Sequence, residues 1–291
     1  MIREVLRGFS DLMTSLIFLQ ESQMAIILRP GDRGEEVVLL QKAINELGGF
    51  NLSMDGDYGN GTQSSLMAVQ RKLGAEPSGY YNSDQMPEIK ALVDNKYIRF
   101  EEIDQYAVEI GVEPAFLKAV REVESRGSGF FNNGQCAILF ERHIFFNQVT
   151  RKFGRKRAEE WMQKYPNICH HTPMQSAYFG GIREYDRLNT AKNLDPECAL
   201  LSASWGMFQI MGFNYQMCGY QTVGDYVDDM LTSEKFHLGS VTLLIRNQPS
   251  WWRAAIDLNF NEFARLYNGP SYAKHNYHTR LRNAFDKYAM A

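Results

Sequence analysis

Apolar and polar positions alternate along this chain with a helical period almost throughout. In "EEVVLLQKAINELGG", Val37, Leu40, Ala43, Ile44 and Leu47 recur every three or four residues and the run closes on Gly48-Gly49, which predicts one helix. "MDGDYGNGTQSSLMAVQRKLGA" repeats the scheme: an Asp- and Gly-rich turn, then a helix with Leu66, Val69, Gln70 and Leu73 inward, ending at Gly74. A third helix is predicted over about residues 83–95, after "EPSGYY". These three make a small unit. Beyond residue 97 the pattern predicts helices over 102–109, 114–126, 155–165, 175–193, 196–202, 222–231, 233–246, 251–258, 262–266 and 273–289. Only "CAILFERH" (136–143), after Asn132-Asn133-Gly134, reads as a strand following a turn. The expected fold class is mainly α, with a three-helix domain followed by a larger helical domain carrying a small β region. The expected divisions are an extension over 1–23, a first domain over 24–96 and a second over 97–291.

Length and composition agree with that picture. A chain of 291 residues holds one large or two smaller domains, at about 100–200 residues each. Its 31 basic and 34 acidic residues leave a net charge of −3, which argues against nucleic acid as a partner. The local exception, RKFGRKR (151–157), reads either as a solvated helix face or as a contact for an anionic polymer or membrane surface. Four cysteines without C-x-x-C spacing are too few for a disulfide scaffold, so reduced thiols are expected. The weak apolar run from Leu12 to Leu19 is too short for a membrane span and lacks a small-residue cleavage site; no integral membrane association is expected.

Candidate chemistry centres on "AVREVESRGSGF" (119–130), where two glutamates close a helix. At 100° per residue, Glu124 falls about 80° from Phe116, inside the apolar arc with Leu117 and Val120, whereas Glu122 falls at about 240°, within reach of Lys118 for a surface ion pair. Lost hydration and the negative end of the helix both raise the pKa of Glu124, the tuning a general acid needs. The other reading of Glu124 is a structural carboxylate bonded to nearby backbone. "SASWGMFQIMGFNY" (202–215) has the small and aromatic residues of a ligand-binding floor, and "FARLYNGPSY" (263–272) places Tyr267 and Asn268 before a Gly-Pro turn. Histidines 143, 170, 171, 275 and 278, with Cys136 and Cys169, raise the thought of a zinc site. No H-E-x-x-H occurs, and adjacent His170 and His171 do not readily share one ion; neither metal nor other cofactor is expected.

Two resemblances follow from these residues. Leu28, Gly31, Gly34, Val37, Leu40, Gln41, Leu47, Asp55-Gly56, Tyr58-Gly59, Thr62, Val69 and Gln70 resemble the peptidoglycan-binding domain found at one end of many cell-wall hydrolases. The sequence departs from that pattern at Pro77-Ser78-Gly79-Tyr80-Tyr81. The resemblance implies wall contacts from Asp55, Tyr58, Thr62 and Gln70; the alternative is that Asp55-Gly56 and Gly59 only form turns. The order Glu-Ser, G-M-F-Q-I, Y-N-G-P resembles the lysozyme superfamily, and "AVREVESRGSGF…ILFERHIFF…SWGMFQIMGFNY" looks like the N-acetylmuramidase domain of modular phage endolysins. That resemblance implies Glu124 as catalytic acid, with Ser125, Gln209, Tyr267 and Asn268 in the substrate cleft. Among Glu141, Glu159 and Glu160, the last two sit in a highly charged helix, so Glu141 is the candidate second carboxylate, or else a structural ion pair with Arg142 or another base. It further implies peptidoglycan as substrate, a monomeric enzyme made in the host cytoplasm, and release to the wall through a separate holin-type pore. Lytic transglycosylation, a zinc amidase or peptidase, and a wall-binding module without catalysis are the alternatives.

Overall fold

The computed structural model describes residues 25–124, 128–173, 178–269 and 272–290. The chain divides into two compact units at Asp94/Asn95. No helix among the described residues is long and apolar enough to cross a membrane.

The first unit holds α1 (Glu35–Gly48), α2 (Asn60–Lys72) and α3 (Pro87–Lys96), with a two-residue antiparallel ribbon of β1 (Ile27–Leu28) and β2 (Tyr81–Asn82). Val37, Leu40, Ile44, Leu66, Val69 and Ile89 form its core. The third helix begins at Pro87, four residues later than the pattern predicts, because proline suits the first helical position and biases the residue before it toward extended backbone. Gln41 ties the turn to the helices. Its amide donates to Asp55 Oδ1 (3.0 Å), the Asp57 carbonyl (3.1 Å) and Thr62 Oγ1 (3.1 Å), and its oxygen accepts from Gly56 N (3.0 Å). Gln41→Leu strips a buried N–H and a buried hydroxyl of this partner, so calorimetry should show the first unit losing about 2–3 kcal/mol of stability.

The second unit contains α4 (Phe100–Ile110), α5 (Pro114–Glu124), β3 (Ile138–Phe140), α6 (Arg142–Phe153), α7 (Arg155–Lys164), α8 (Glu184–Leu194), α9 (Pro196–Leu201), β4 (Ala203–Trp205), β5 (Ile210–Met211), α10 (Val223–Met230), α11 (Glu234–Arg246), α12 (Pro249–Ile256), α13 (Phe260–Asn268) and α14 (Tyr277–Ala289). It is mainly helical around one small antiparallel sheet, ordered β3-β4-β5, with Ile138 opposite Trp205 and Trp205 opposite Ile210. Two expectations need correction. The strand within "CAILFERH" is only Ile138–Phe140, and a helix starts at Arg142, because Phe145, Phe146 and Val149 bury one helical face. The helix expected over 175–193 spans only Glu184–Leu194 among the described residues; Gly180 and Gly181, both at positive φ, precede it in a loop and a single 3-10 turn. The floor segment is a hairpin, with its turn at 206–209.

Helix α5 lies between α4 and α14 and is central to this unit. Phe116 meets Phe263 edge-on (4.9 Å between centroids) and stacks at 6.3 Å on Phe260, joining α5 to α13. This packing brings the last turn of α5 beside the C-terminal end of α13 and the start of α14.

Candidate active site

Glu124 is the last residue of α5 and is half-buried. It faces a small pocket that Val120, Val123, Phe263, Ala264, Tyr277 and Leu281 line with it. Asn268 Nδ2 donates to its Oε1 at 3.1 Å. Arg280, one turn into α14, donates to the Val123 carbonyl at 3.0 Å and so occupies one of the free acceptors at the end of α5. Burial is the leading influence on the Glu124 carboxyl and pushes its pKa above the ordinary 4.5; the Asn268 hydrogen bond and the Arg280 charge oppose that rise without cancelling it. The result is a carboxyl that holds its proton longer than an exposed glutamate, between a fixed amide and a nearby guanidinium.

Glu122 lies on the opposite face, as the helical wheel separates them. Its partner is not Lys118, however. Lys118 pairs with Asp104 (2.7 Å), and Glu122 accepts from Lys287 (2.8 Å) and the Tyr288 hydroxyl (2.6 Å) on α14. The long-range helix contact wins over the intrahelical pair because α14 packs directly along α5.

Tyr267 is one residue before Asn268, and its hydroxyl donates to the Phe208 carbonyl at 3.1 Å, tying α13 to the hairpin turn. Burial first, then the nearby Glu124, raises its pKa well above 10, so it remains a neutral donor. Gln209 sits in that turn at φ +48°, a left-handed conformation that costs a non-glycine residue roughly 1–2 kcal/mol. Its own side chain offsets the cost: Oε1 accepts from Ser204 Oγ (2.8 Å), while Nε2 donates to the carbonyls of Gly206 (2.9 Å) and Ala137 (3.2 Å). Ser125 lies outside the described residues.

Glu141 occupies the N-cap position of α6 without a side-chain capping bond, and its carboxylate meets two other groups. Tyr178 Oη donates to both carboxylate oxygens, at 3.0 and 2.8 Å, and His143 Nδ1 lies 3.2 Å from Oε2. Arg142 is not its partner; that guanidinium donates to the carbonyls of Thr172 and Pro166. Beside this cluster runs a network that sequence reasoning missed. Glu184 and Arg187, both fully buried, pair at 2.7 Å. Glu184 accepts from the backbone N–H groups of Phe140, Phe179 and Gly180, and Arg187 donates to the carbonyls of Phe140 and Asn167. Arg187 also lies 5.6 Å from the Tyr178 ring. The i, i+3 spacing of Glu184 and Arg187 was visible in the sequence, but their burial was not.

The basic run 151–157 is largely neutralised. Lys152 pairs with the buried Asp195 and the exposed Glu197, and Arg155 with Glu159 and Arg157 with Glu160 on exposed surface. That arrangement is a solvated helix face. Among the described residues no group of three or more His, Cys, Asp or Glu side chains is placed to hold a metal ion.

In the first unit, the four side chains proposed for wall contact fall into two groups. Asp55 is exposed, and the Asp57 N–H and the Gln41 amide hold its carboxyl below the usual carboxylate range. Tyr58, Thr62 and Gln70 are enclosed, with exposures of 1%, 3% and 3%. Tyr58 donates to the Gly79 carbonyl, Thr62 joins Gln41, and Gln70 bonds Gly79 N and the Tyr80 carbonyl. These three buttress turns from inside, because the turns need internal partners for buried backbone groups.

The N-acetylmuramidase family profile matches residues 113–289, and a peptidoglycan-binding-domain profile matches residues 33–86. The chain is similar to the crystal structure of a Burkholderia AP3 phage endolysin, with a TM-score of 0.64 and 32% identity; the match covers 91% of this chain and all of that one. No curated protein sequence matches it. The matched region takes in the Glu124 pocket, the Glu141 cluster and the Gln209 hairpin together. The chain belongs to the N-acetylmuramidase family of glycoside hydrolases, and carries a peptidoglycan-binding domain in front of its catalytic unit.

Proposed function

We propose that this enzyme hydrolyses the β-1,4 bond between N-acetylmuramic acid and N-acetylglucosamine in peptidoglycan, with Glu124 as general acid. The observation that carries the reading is the half-buried carboxyl at the end of α5, held by Asn268 and biased toward its protonated form. Its proton passes to the glycosidic oxygen as the C1–O bond breaks and the bonding pair leaves with that oxygen. The oxocarbenium-like centre is then captured by water. Glu141, oriented by Tyr178, is the second carboxylate in this scheme and accepts the proton of the attacking water. Gln209, Tyr267 and Asn268 shape the glycan cleft, and Ser125 belongs to it by family correspondence.

Residues 24–96 form the wall-anchoring domain and residues 97–291 the catalytic domain. Asp55 is the exposed member of the anchoring set, with Tyr58, Thr62 and Gln70 shaping the turns that present it. By likeness to the phage enzyme, the protein is an endolysin. It is made in the host cytoplasm, acts as a monomer on the wall after release through a separate holin-type pore, and lyses the cell.

Mass spectrometry of purified peptidoglycan digested by wild type and by Glu124→Gln tests the reaction. Hydrolysis leaves reducing N-acetylmuramic acid ends, absent from the Glu124→Gln digest. Anhydromuramic ends would mean that the 6-hydroxyl of the sugar, not water, captures C1, and would replace hydrolysis by transglycosylation.

A further inference from the structure

We infer that the N-terminal turns of α11 brace the active site, with Glu234 and His237 as positioning residues that set the segment Ser128–Phe130 against the Gln209 hairpin. The inference rests on the reading of Glu124 as the acid.

Both side chains are buried, with exposures of 0% for Glu234 and 1% for His237. Glu234 accepts from Gly129 N (2.9 Å) and from the Ser128 hydroxyl (3.3 Å), which fixes Ser128 and Gly129. Ser128 Oγ in turn accepts from Phe130 N at 3.1 Å. One helical turn along, His237 Nδ1 accepts from Met207 N at 3.1 Å, so the ring proton sits on Nε2, which faces the Met230 carbonyl at 2.7 Å. The Phe130 ring stacks on the imidazole with centroids 5.1 Å apart.

Two glycines make this fit possible. A Cβ on Gly129 would lie 2.2 Å from His237 Nδ1, and one on Gly206 would lie 2.8 Å from the same ring. The backbone of each segment therefore lies against the imidazole, one on the acid's side and one on the hairpin's. A run of main-chain bonds completes the connection: Ala137 N donates to the Gly129 carbonyl, and Gly206 N and Gln209 Nε2 both donate to the Ala137 carbonyl. Carboxylate, imidazole and glycine pair together hold the two walls in one register. A displacement of about 1 Å between groups flanking a bound substrate is enough to cost about 100-fold in rate.

The test uses the full chain with His237→Gln, His237→Asn and Ser128→Ala, assayed for kcat and KM on solubilised, labelled peptidoglycan well below each variant's own Tm. Asparagine places an oxygen where Nδ1 stood and keeps an acceptor for Met207 N; glutamine reaches instead toward the Nε2 position. His237→Gln should lose about 10–100-fold in kcat with KM little changed, and His237→Asn should recover most of that loss. Ser128→Ala, which removes one surface-side contact of the brace, should lose about 3–10-fold in kcat at unchanged Tm, and carries the test alone if His237→Gln does not fold. A role confined to stability predicts lowered Tm with wild-type kcat in the folded variants, or equal kcat for the Asn and Gln variants; either result overturns the brace, as does unchanged kcat in Ser128→Ala. Glu124→Gln is run alongside. An active Glu124→Gln removes the acid that the brace serves, whereas an inactive one beside wild-type kcat in His237→Gln refutes the brace and leaves the acid in place.

Discussion

Glu124→Gln should lower kcat by about 10²–10⁴-fold, the range that a positioned general acid contributes. Glutamine keeps the oxygen that Asn268 addresses, so KM should move little and the loss should lie in turnover. The same residue sets the alkaline limb of the wild-type pH profile. Activity needs the protonated carboxyl, so kcat/KM falls as pH rises through the Glu124 pKa, which burial places above the usual 4.5. Arg280→Gln removes a charge that favours the ionised form, so its alkaline limb should shift upward. An unmoved limb would mean that another group titrates there.

Stability should respond in the opposite sense to activity. The folded pKa of Glu124 is raised, so folding binds its proton more tightly than the unfolded chain does. The stability this contributes is present in full below the unfolded carboxyl's pKa and is lost as pH rises to the folded value. Glu124→Gln should therefore raise Tm at neutral pH, and the gain should vanish in acid. Activity is favoured by a carboxyl that the fold would hold more comfortably as an amide, a usual tension at catalytic positions.

The largest loss of stability is expected from Glu184→Gln. Glu184 is fully buried, pairs with a fully buried Arg187 and accepts three backbone N–H groups. Gln keeps the volume but removes the charge, leaving Arg187 uncompensated with the Arg142 guanidinium near enough to act on it electrostatically. Breaking such a pair by removing one member costs about 3–5 kcal/mol. In a unit of this size that corresponds to a Tm lower by roughly 6–20 °C. Because Arg187 also donates to the Phe140 carbonyl, the damage should reach β3 and the neighbouring Glu141, and activity should fall along with stability. A Tm within 2 °C of wild type, roughly the effect of under 1 kcal/mol, would mean that the site rehydrates or repacks around the amide.

The sequence by itself determined most of the helices, though not the one over Arg142–Phe153, together with the glycine-closed turns of the first unit and the opposed faces of Glu122 and Glu124, because periodicity and turn chemistry act between residues a few positions apart. It pointed to Tyr267 and Asn268 through their motif, but not to what they touch. The contact of Asn268 with Glu124 spans 144 positions and that of Arg280 with the α5 end spans 157. Only the packing of α13 and α14 against α5 decided those, just as it gave Glu122 to Lys287 rather than Lys118 and Glu141 to Tyr178 rather than Arg142. A local pattern says which side of an element is dry. Which groups share that dry space, and hence which carboxyl keeps its proton, depends on how distant elements come together.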